Sequence, residues 1–567
     1  MTQKGLISTF SSDNPNIDRS LLEEAEKKRN SHVEKALNDE QRAAAREILK
    51  SDLKTHLLYG VTGSGKTEVF LDLIEKTLRE GKQAIVLIPE ISLTYQTVMR
   101  FYERFGEKVS VVHSKVSKGE KCERFEKAKR GEISVMIGPR SALFTPFQNL
   151  GIIIVDEFHD GSYDSDQVPK YSAVEVAEKR GELENAKVVL GSATPSVESY
   201  YRAQNGEITL LSLPDRATGT ALPSVTVVDT KAEMARGNMS LFSEPLRRAI
   251  ADRLNRGEQT ILFLNRKGYA SFSACRACGF VLRCPKCYLP YTYHKDKNAL
   301  ICHHCGKSVA MPDACPNCGS PYLQNTGIGT QRIEEEARSF FPTARIRRLD
   351  IDAAGDEGYE SIYQDVAGGR VDILIGTQMV AKGFDFPKVT LVGVVAADLS
   401  LYSPDYHATE RTFELITQAV GRAGRHSGGE AVIQTFSPDH YCIREAARQS
   451  YEGFYKEEIM ARELGGAPPF EHILEILVSG KNEDAVREEV AGLYRLMAQL
   501  GRNKGFSLMG PSPASLGRVN NVFRWKILAR ATDGERLVRY GGYCIDRYLE
   551  QERKSTFAMD IDPGQVL

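Results

Sequence analysis

From Leu37 onward the chain alternates short apolar runs with amphipathic stretches of helical length. The runs THLLYG, QAIVLIPE, KVSVVH, ISVMIG, LGIIIVD and AKVVLGS come first. Near-continuous apolar strands separated by helices predict a parallel sheet covered on both faces. The alternation stops near Leu213, then resumes with PSVTVVD, QTILFLN, RIRRLD, VDILIGT, VTLVGVVA and GEAVIQTF, ending near Phe436. Two tandem α/β lobes are predicted. A cysteine-rich block interrupts the second, and a small α+β unit comes after it, with ILEILVSG and FRWKILAR as strands flanking a helix. The expected division is a polar segment 1–36, a first lobe 37–213, a second lobe in two parts 214–270 and 326–447, an insertion 271–325, and a C-terminal unit 448–567. Residues 1–36 carry six basic and six acidic side chains, and Leu21 to Ala36 is predicted as a solvated helix.

Composition narrows the class without naming it. At roughly 150 residues per domain, 567 residues fit three or four domains. A chain 41% hydrophobic and 26% charged excludes global disorder and collagen-like repeats. The net charge of −1 shows none of the basic excess that marks many nucleic-acid binders. The N-terminus has no signal-peptide core, and no apolar run reaches the roughly 18 residues of a membrane span. The expectation is a cytoplasmic protein, without a membrane partner, whose thiols are reduced.

GVTGSGKT, running from Gly60 through Thr62, Gly63, Ser64, Gly65 and Lys66 to Thr67, follows a predicted strand and opens a predicted helix. This is the pattern that curves backbone N–H groups around phosphate oxygens at a helix N-terminus. Lys66 is expected to reach the β- and γ-phosphates of ATP, and the Thr67 hydroxyl to ligate Mg²⁺. The strand LGIIIV ends in DEFH, so Asp156 is expected to complete the magnesium site and Glu157 to polarise the attacking water. Asp160 is expected to be solvated. GSAT, Gly191 to Thr194, brings small hydroxyl side chains beside the acidic motif. In the second lobe QAVGRAGR places Arg422 and Arg425 close together, as fingers for the phosphoryl-transfer transition state.

Eight of the eleven cysteines lie between Cys275 and Cys318. Four C-x2-C pairs make two closed four-sulfur sites suited to structural zinc. Cys284, Cys287, Cys302 and Cys305 flank a predicted hairpin with its turn near Lys295–Asn298, a zinc-ribbon layout. Cys275, Cys278, Cys315 and Cys318 take the second zinc. Between Asn265 and Asn325 eight Lys/Arg face two acids, a local +6 that two zinc–tetrathiolate centres, each −2, reduce to about +2. Tyr291 and Tyr293 are expected either to stack on bases or, equally, to pack within the hairpin.

LNDEQ, GVTGSGKT, DEFH, GSATPS, GTQMVAKGFDFP and QAVGRAGR together resemble superfamily-two helicases, which have two RecA-like lobes. NRKGYA before the cysteine block and GTQR after it are similar specifically to the PriA family of primosomal replication-restart DNA helicases. The likeness runs from about Leu37 to DIDPGQVL. It implies that Gln41 lies in an adenine-recognition segment and that the nested cysteine pairing is the family's. It also implies ATP-dependent 3′→5′ unwinding of forked or single-stranded DNA. Primosome and helicase-loading proteins are the implied partners, with single-stranded-DNA-binding protein as a further one.

The chain departs from that family in places. Only 36 residues precede the motor, where the family usually carries a fork-binding region, so fork recognition by that route is not carried over. Pro139, Phe158, Phe384 and His407 stand where threonine, glutamate, histidine and arginine are usual. Tyr163 and Tyr171 keep an aromatic-rich loop that is more acidic than usual. The expectation is an intact ATPase with a weaker DNA grip, and His407 is expected to alter coupling between the lobes. The competing readings are a primosome scaffold or DNA-binding protein with a vestigial motor, and an RNA helicase with a zinc insert.

Overall fold

The computed structural model describes residues 36–563, apart from 91, 94, 115, 166–169, 218, 266–272, 276–277, 279, 287–289, 295–298, 303–304, 322, 326–328, 350–357, 382–385, 404, 425–427, 503 and 551–552. The helix predicted before Leu37 therefore lies almost wholly outside the described residues, as do Cys287, Phe384 and Arg425.

The first lobe is a seven-stranded sheet built from β1 (Thr55–Gly60), β2 (Gln83–Leu87), β3 (Val109–Val111), β4 (Val135–Gly138), β5 (Leu150–Asp156), β6 (Lys187–Ser192) and β7 (Thr209–Leu213). Its order is β3-β4-β2-β5-β6-β1-β7, parallel throughout. Six of these are the predicted apolar runs. The seventh, β7, has a mostly half-exposed TLLSL pattern at the sheet edge, which continuous burial does not announce. In this order β6 lies between β1 and β5, with Ser192 beside Tyr59 and Gly191 beside Asp156 in register. The loops after β1, β5 and β6 therefore converge at one sheet edge, where ligands bind in open parallel sheets.

The second lobe begins with β8 (Ser224–Asp229) and β9 (Gln259–Leu264). The cysteine-rich insertion then forms β10 (Ser273–Cys275), β11 (Thr292–His294), β12 (Ala299–Ile301), β13 (Ser308–Ala310) and β14 (Leu323–Asn325). Strands β10 and β14 pair antiparallel, so the insertion leaves and re-enters the lobe through one two-stranded neck. The predicted hairpin is β11–β12, with Thr292 opposite Ile301, and β13 extends it. Strands β15 (Ile346–Leu349), β16 (Ile373–Gly376), β17 (Val389–Val395) and β18 (Glu430–Thr435) complete a parallel six-stranded sheet of order β15-β16-β9-β17-β18-β8.

The two lobes are packed together. One apolar core includes Phe158, Tyr163 and Tyr200 from the first and Phe413, Ile416 and Phe454 from the second and the helix beyond it. Tyr59 meets Tyr451 at 5.6 Å and Tyr200 meets Tyr455 at 4.7 Å between ring centroids. The C-terminal unit has four antiparallel strands rather than the two read from sequence. They are β19 (His472–Gly480), β20 (Ser507–Val519), β21 (Val522–Ala531) and β22 (Thr556–Ile561), ordered β20-β21-β19-β22. The predicted helix, Glu483–Leu500, and a second, Gly534–Leu549, pack on it through Val490, Leu493, Leu537 and Tyr540. Among the described residues no helix is long and apolar enough to cross a membrane.

Candidate nucleotide site and metal centres

β1 runs directly into the phosphate loop, and the helix Lys66–Arg79 starts at its far end. Gly65 sits at φ +82°, and a Cβ there would lie 2.4 Å from Gln41 Nε2. That nitrogen donates to the Ser64 carbonyl at 2.9 Å. Gln41 is itself locked by a capping box with Asn38 at the start of the helix Asp39–Lys50. The segment around Gln41 thus touches the loop backbone directly. Lys66, only 9% exposed, donates from Nζ to the Gly60 carbonyl at 2.6 Å. Thr67 stands in the first helical turn. Thr62 faces the other lobe, where a Cβ at Gly421 would meet it at 3.1 Å.

Asp156 ends β5, and burial, followed by the charge of Glu157, pushes its pKa up to about 7 against the opposing pull of Lys66. Glu157 has φ +47°, a left-handed conformation unusual for a side-chain-bearing residue and a form of strain that clusters at functional sites. Its Oε2 is buried without a hydrogen bond, 3.7 Å from His159 Nδ1. Asp160 corrects the expectation of a solvated acid. It is 8% exposed because the chain reverses there, and its carboxylate accepts the Ser162 N–H at 2.8 Å to cap a short 3-10 turn. Phe158, in the variable position of the motif, is buried in the core.

His159, Ser192 and Gln418, which join the lobes beside the acidic motif, were not singled out from sequence. His159 Nδ1 meets Ser192 Oγ at 2.7 Å, and its Nε2 meets Gln418 Nε2 at 2.6 Å. Ser192 Oγ also accepts the Thr194 N–H at 2.9 Å. DEFH, GSAT and QAVGRAGR are therefore wired through one imidazole. Gln418 ends a helix, Ala408–Val420, and Gly421 to Gly424 turn away from it carrying Arg422. The motif spacing held the signal, but only the fold shows which side chains meet.

The aromatic-rich loop is tied to the same acid. Tyr163 Oη donates to the Asp156 carbonyl at 2.7 Å, and Arg140, beside Pro139, donates to the Ser162 carbonyl at 3.3 Å and to that of Asp164. Tyr171 packs edge-on against Phe144, which is 52% exposed. His407 lies buried across the lobes, its Nε2 3.6 Å from Glu198 and its Nδ1 3.6 Å from Asp405. Burial alone would lower its pKa, but the neighbouring carboxylates of Asp405 and Glu198 carry it up to about 9.

Cys275, Cys278, Cys315 and Cys318 bring their sulfurs together, as do Cys284, Cys302 and Cys305. Sulfur separations are 3.6 Å for Cys275–Cys318, 3.7 Å for Cys278–Cys315 and 3.7 Å for Cys284–Cys305. Four sulfurs at about 2.3 Å from a tetrahedral zinc stand about 3.8 Å apart, whereas a disulfide needs about 2.05 Å. The donor set fits zinc. Two C-x2-C-G knuckles share one backbone form, with Gly306 donating to Cys302 and Gly319 to Cys315, each at 2.8 Å. Tyr291 is buried between Cys284 and Leu300 in this module and Tyr293 packs partly against it, so the base-stacking expectation for Tyr291 fails.

The comparisons follow this division of the chain. Residues 38–203 match the DEAD/DEAH box helicase family and 331–427 the helicase conserved C-terminal domain. Residues 284–309 match the PriA DNA helicase Cys-rich region domain, and 463–564 the primosomal protein N C-terminal domain. Replication restart protein PriA of Bacillus subtilis is 43% identical over 542 residues, covering 94% of this chain and 67% of the relative. The chain belongs to the PriA family. The PriA protein of Chlamydia trachomatis is 44% identical over 504 residues, 87% of this chain and 67% of its own length. That of Rickettsia felis is 36% identical over 544 residues, 95% of this chain and 82% of its own. The chain thus spans about two thirds of the PriA proteins of B. subtilis and C. trachomatis.

Proposed function

We propose that this chain is an ATP-dependent 3′→5′ DNA helicase acting in replication restart. The observation that carries the reading is the His159 junction, which joins the acidic motif, GSAT and QAVGRAGR across two closed lobes. ATP is held on the N–H groups of the loop from Gly60 to Thr67, with Gln41, Thr62, Gly63, Ser64 and Gly65 shaping it. Lys66 exchanges the Gly60 carbonyl for phosphate oxygen. Thr67 and Asp156 would hold Mg²⁺, which neutralises phosphate charge. Glu157, with an oxygen unengaged, orients the attacking water, and Arg422 and Arg425 meet the charge of the transition state.

Tyr163 bonds the aromatic loop to the Asp156 carbonyl and Arg140 holds the Ser162 and Asp164 carbonyls of the same loop, which supports coupling of hydrolysis to DNA. Cys275, Cys278, Cys315 and Cys318 would hold one zinc and Cys284, Cys287, Cys302 and Cys305 a second. Each is a closed, structural site. The implied partners are forked or single-stranded DNA, primosome and helicase-loading proteins, and single-stranded-DNA-binding protein.

The test measures ATP turnover and strand separation on forks with 3′ or 5′ single-stranded arms. The unmodified chain is expected to unwind the 3′-tailed forks, and Lys66→Ala to lose turnover and unwinding by at least about 100-fold. Retention of both by Lys66→Ala, or unwinding from 5′ tails alone, overturns the reading.

A further inference from the structure

The chain passes from the first sheet to the second through the connector between Leu213 and Ser224, and this connector is docked on the phosphate loop. Val61 N–H donates to the Leu213 carbonyl at 3.2 Å, and Ala217 N–H donates to the Gly63 carbonyl at 2.9 Å. Between those anchors lies Arg216, 6% exposed. Its aliphatic stem runs beside the loop, so that a Cβ at Gly63 would meet Arg216 Cγ at 3.8 Å. Its Nη1 donates to the Ala221 carbonyl and to the Gly424 carbonyl, each at 3.4 Å.

Gly424 sits between Arg422 and Arg425. Its N–H donates to the Val389 carbonyl at 2.9 Å, and at φ +57° it passes so close to Gly428 and Gly429 that a Cβ would fall about 2.2 Å from their backbone. No side chain fits at Gly424, and Arg216 donates to its carbonyl from the side of the phosphate loop. Gln418, tethered to His159, and Gly424, tethered to Arg216, bracket Arg422. The cleft beside this tether is lined by Val61, Thr62, Thr417 and Gly421 together with Arg216.

We propose that Arg216 is a positioning residue for ATP hydrolysis, tying the turn that carries Arg422 to the phosphate loop. This rests on the nucleotide reading above and extends it to a second tether between the lobes. The two tethers approach Arg422 from opposite ends: one from the acidic motif, one from the inter-lobe connector. Arginine suits the task because its charge is permanent and its planar guanidinium fixes Nη1 between two carbonyls, which an ammonium on a flexible stem does less well. The gain is orientation of a finger in a closed cleft, where misplacement by a fraction of an ångström slows chemistry without weakening ground-state binding.

The experiment compares Arg216→Ala, Arg216→Lys, Arg422→Ala and the Arg216→Ala/Arg422→Ala double variant in the full chain. It reads DNA-stimulated kcat, binding of a fluorescent ADP analogue, and melting temperature. Arg216→Ala is expected to lower kcat by about tenfold or more while ADP affinity stays within about twofold. Arg216→Lys should recover only part of the rate, and the double variant should be no slower than Arg422→Ala alone.

A matching fall in ADP affinity would make Arg216 a phosphate ligand and overturn the positioning role, as would multiplicative losses in the double variant. If Arg216→Ala melts too low to assay, Arg216→Lys decides: a slower kcat at unchanged affinity supports the tether, and unmodified kinetics overturn it. Turnover in the unmodified chain with Arg216→Ala unimpaired defeats this inference alone. Absence of turnover in the unmodified chain defeats both readings.

Discussion

His159 carries more of the site than either acid beside it in sequence. Replacing it with alanine removes the contacts to both Ser192 and Gln418. His159→Ala should therefore leave nucleotide binding near normal while DNA stimulation of turnover collapses, read as the ratio of ATPase rates with and without single-stranded DNA. Gly65→Ala should act differently. Its φ of +82° and the 2.4 Å approach to Gln41 leave a methyl no room, so ATP affinity and thermal stability should fall together. The phosphate loop and Asp156 were legible because their chemistry lies in contiguous residues. The role of Ser192 was not, because it depends on β6 lying between β1 and β5. Asp160 misled because an acid in a polar run reads as solvated unless the reversal it caps is known.

A helix carries the buried ion cluster that joins the two lobes to the C-terminal unit. Arg462, on the helix Tyr451–Gly465, is buried among Glu198 of the first lobe, Glu410 of the second and Glu458 of its own helix, and donates to all three. Removing one partner of such a group leaves uncompensated buried charge, at about 3–5 kcal/mol. Arg462→Ala should accordingly lower the melting temperature sharply, with Arg462→Met less damaging than its lost charge suggests. His407 joins the same junction and can be tested by pH. Its folded pKa of about 9 lies above the ordinary 6.5, so its stabilisation is complete below pH 6.5 and is lost as pH rises through about 9. His407→Arg should flatten that alkaline decline in melting temperature. The central strands of both lobes were readable because burial on two faces makes them continuously apolar, which the edge strand β7 is not. In the C-terminal unit β20 reads SLMGPSPASLGRV and its pairing with β21 shifts register twice, so no alternation survives to be seen.

Two other histidines are expected to contribute to acid sensitivity at the scale of the whole molecule. His56 lies buried on β1, and burial with the charge of Lys187 pushes its pKa down to about 4. His440 is pushed to about 4 by burial with Arg283 and Arg444. Each favours the folded state when neutral, so stability present above pH 6.5 should drain away as pH falls toward 4. At about 1.4 kcal/mol for each pH unit separating folded and unfolded titration, the two together contribute at most several kcal/mol. Replacing His56 by a neutral isostere such as Gln should move that midpoint less than it lowers overall stability, read from melting curves between pH 4 and 7. Chelation should act locally, increasing proteolysis between 273 and 325 before the lobes melt. Because Gly306 of one knuckle sits against the Pro511 carbonyl, it should also loosen the C-terminal unit.

The paired neck of β10 and β14 has a consequence for how such a protein is assembled as it is made. An insertion whose ends are already neighbours adds only the slow logarithmic cost of a longer loop, so β9 can find β16 and β17 without waiting for metal. A cell short of zinc would still produce a motor with its parallel sheets in order, carrying an unfinished cassette on its flank. Zinc is then expected to bind after the sheets have formed, which refolding with and without zinc, followed by proteolysis between 273 and 325, would check.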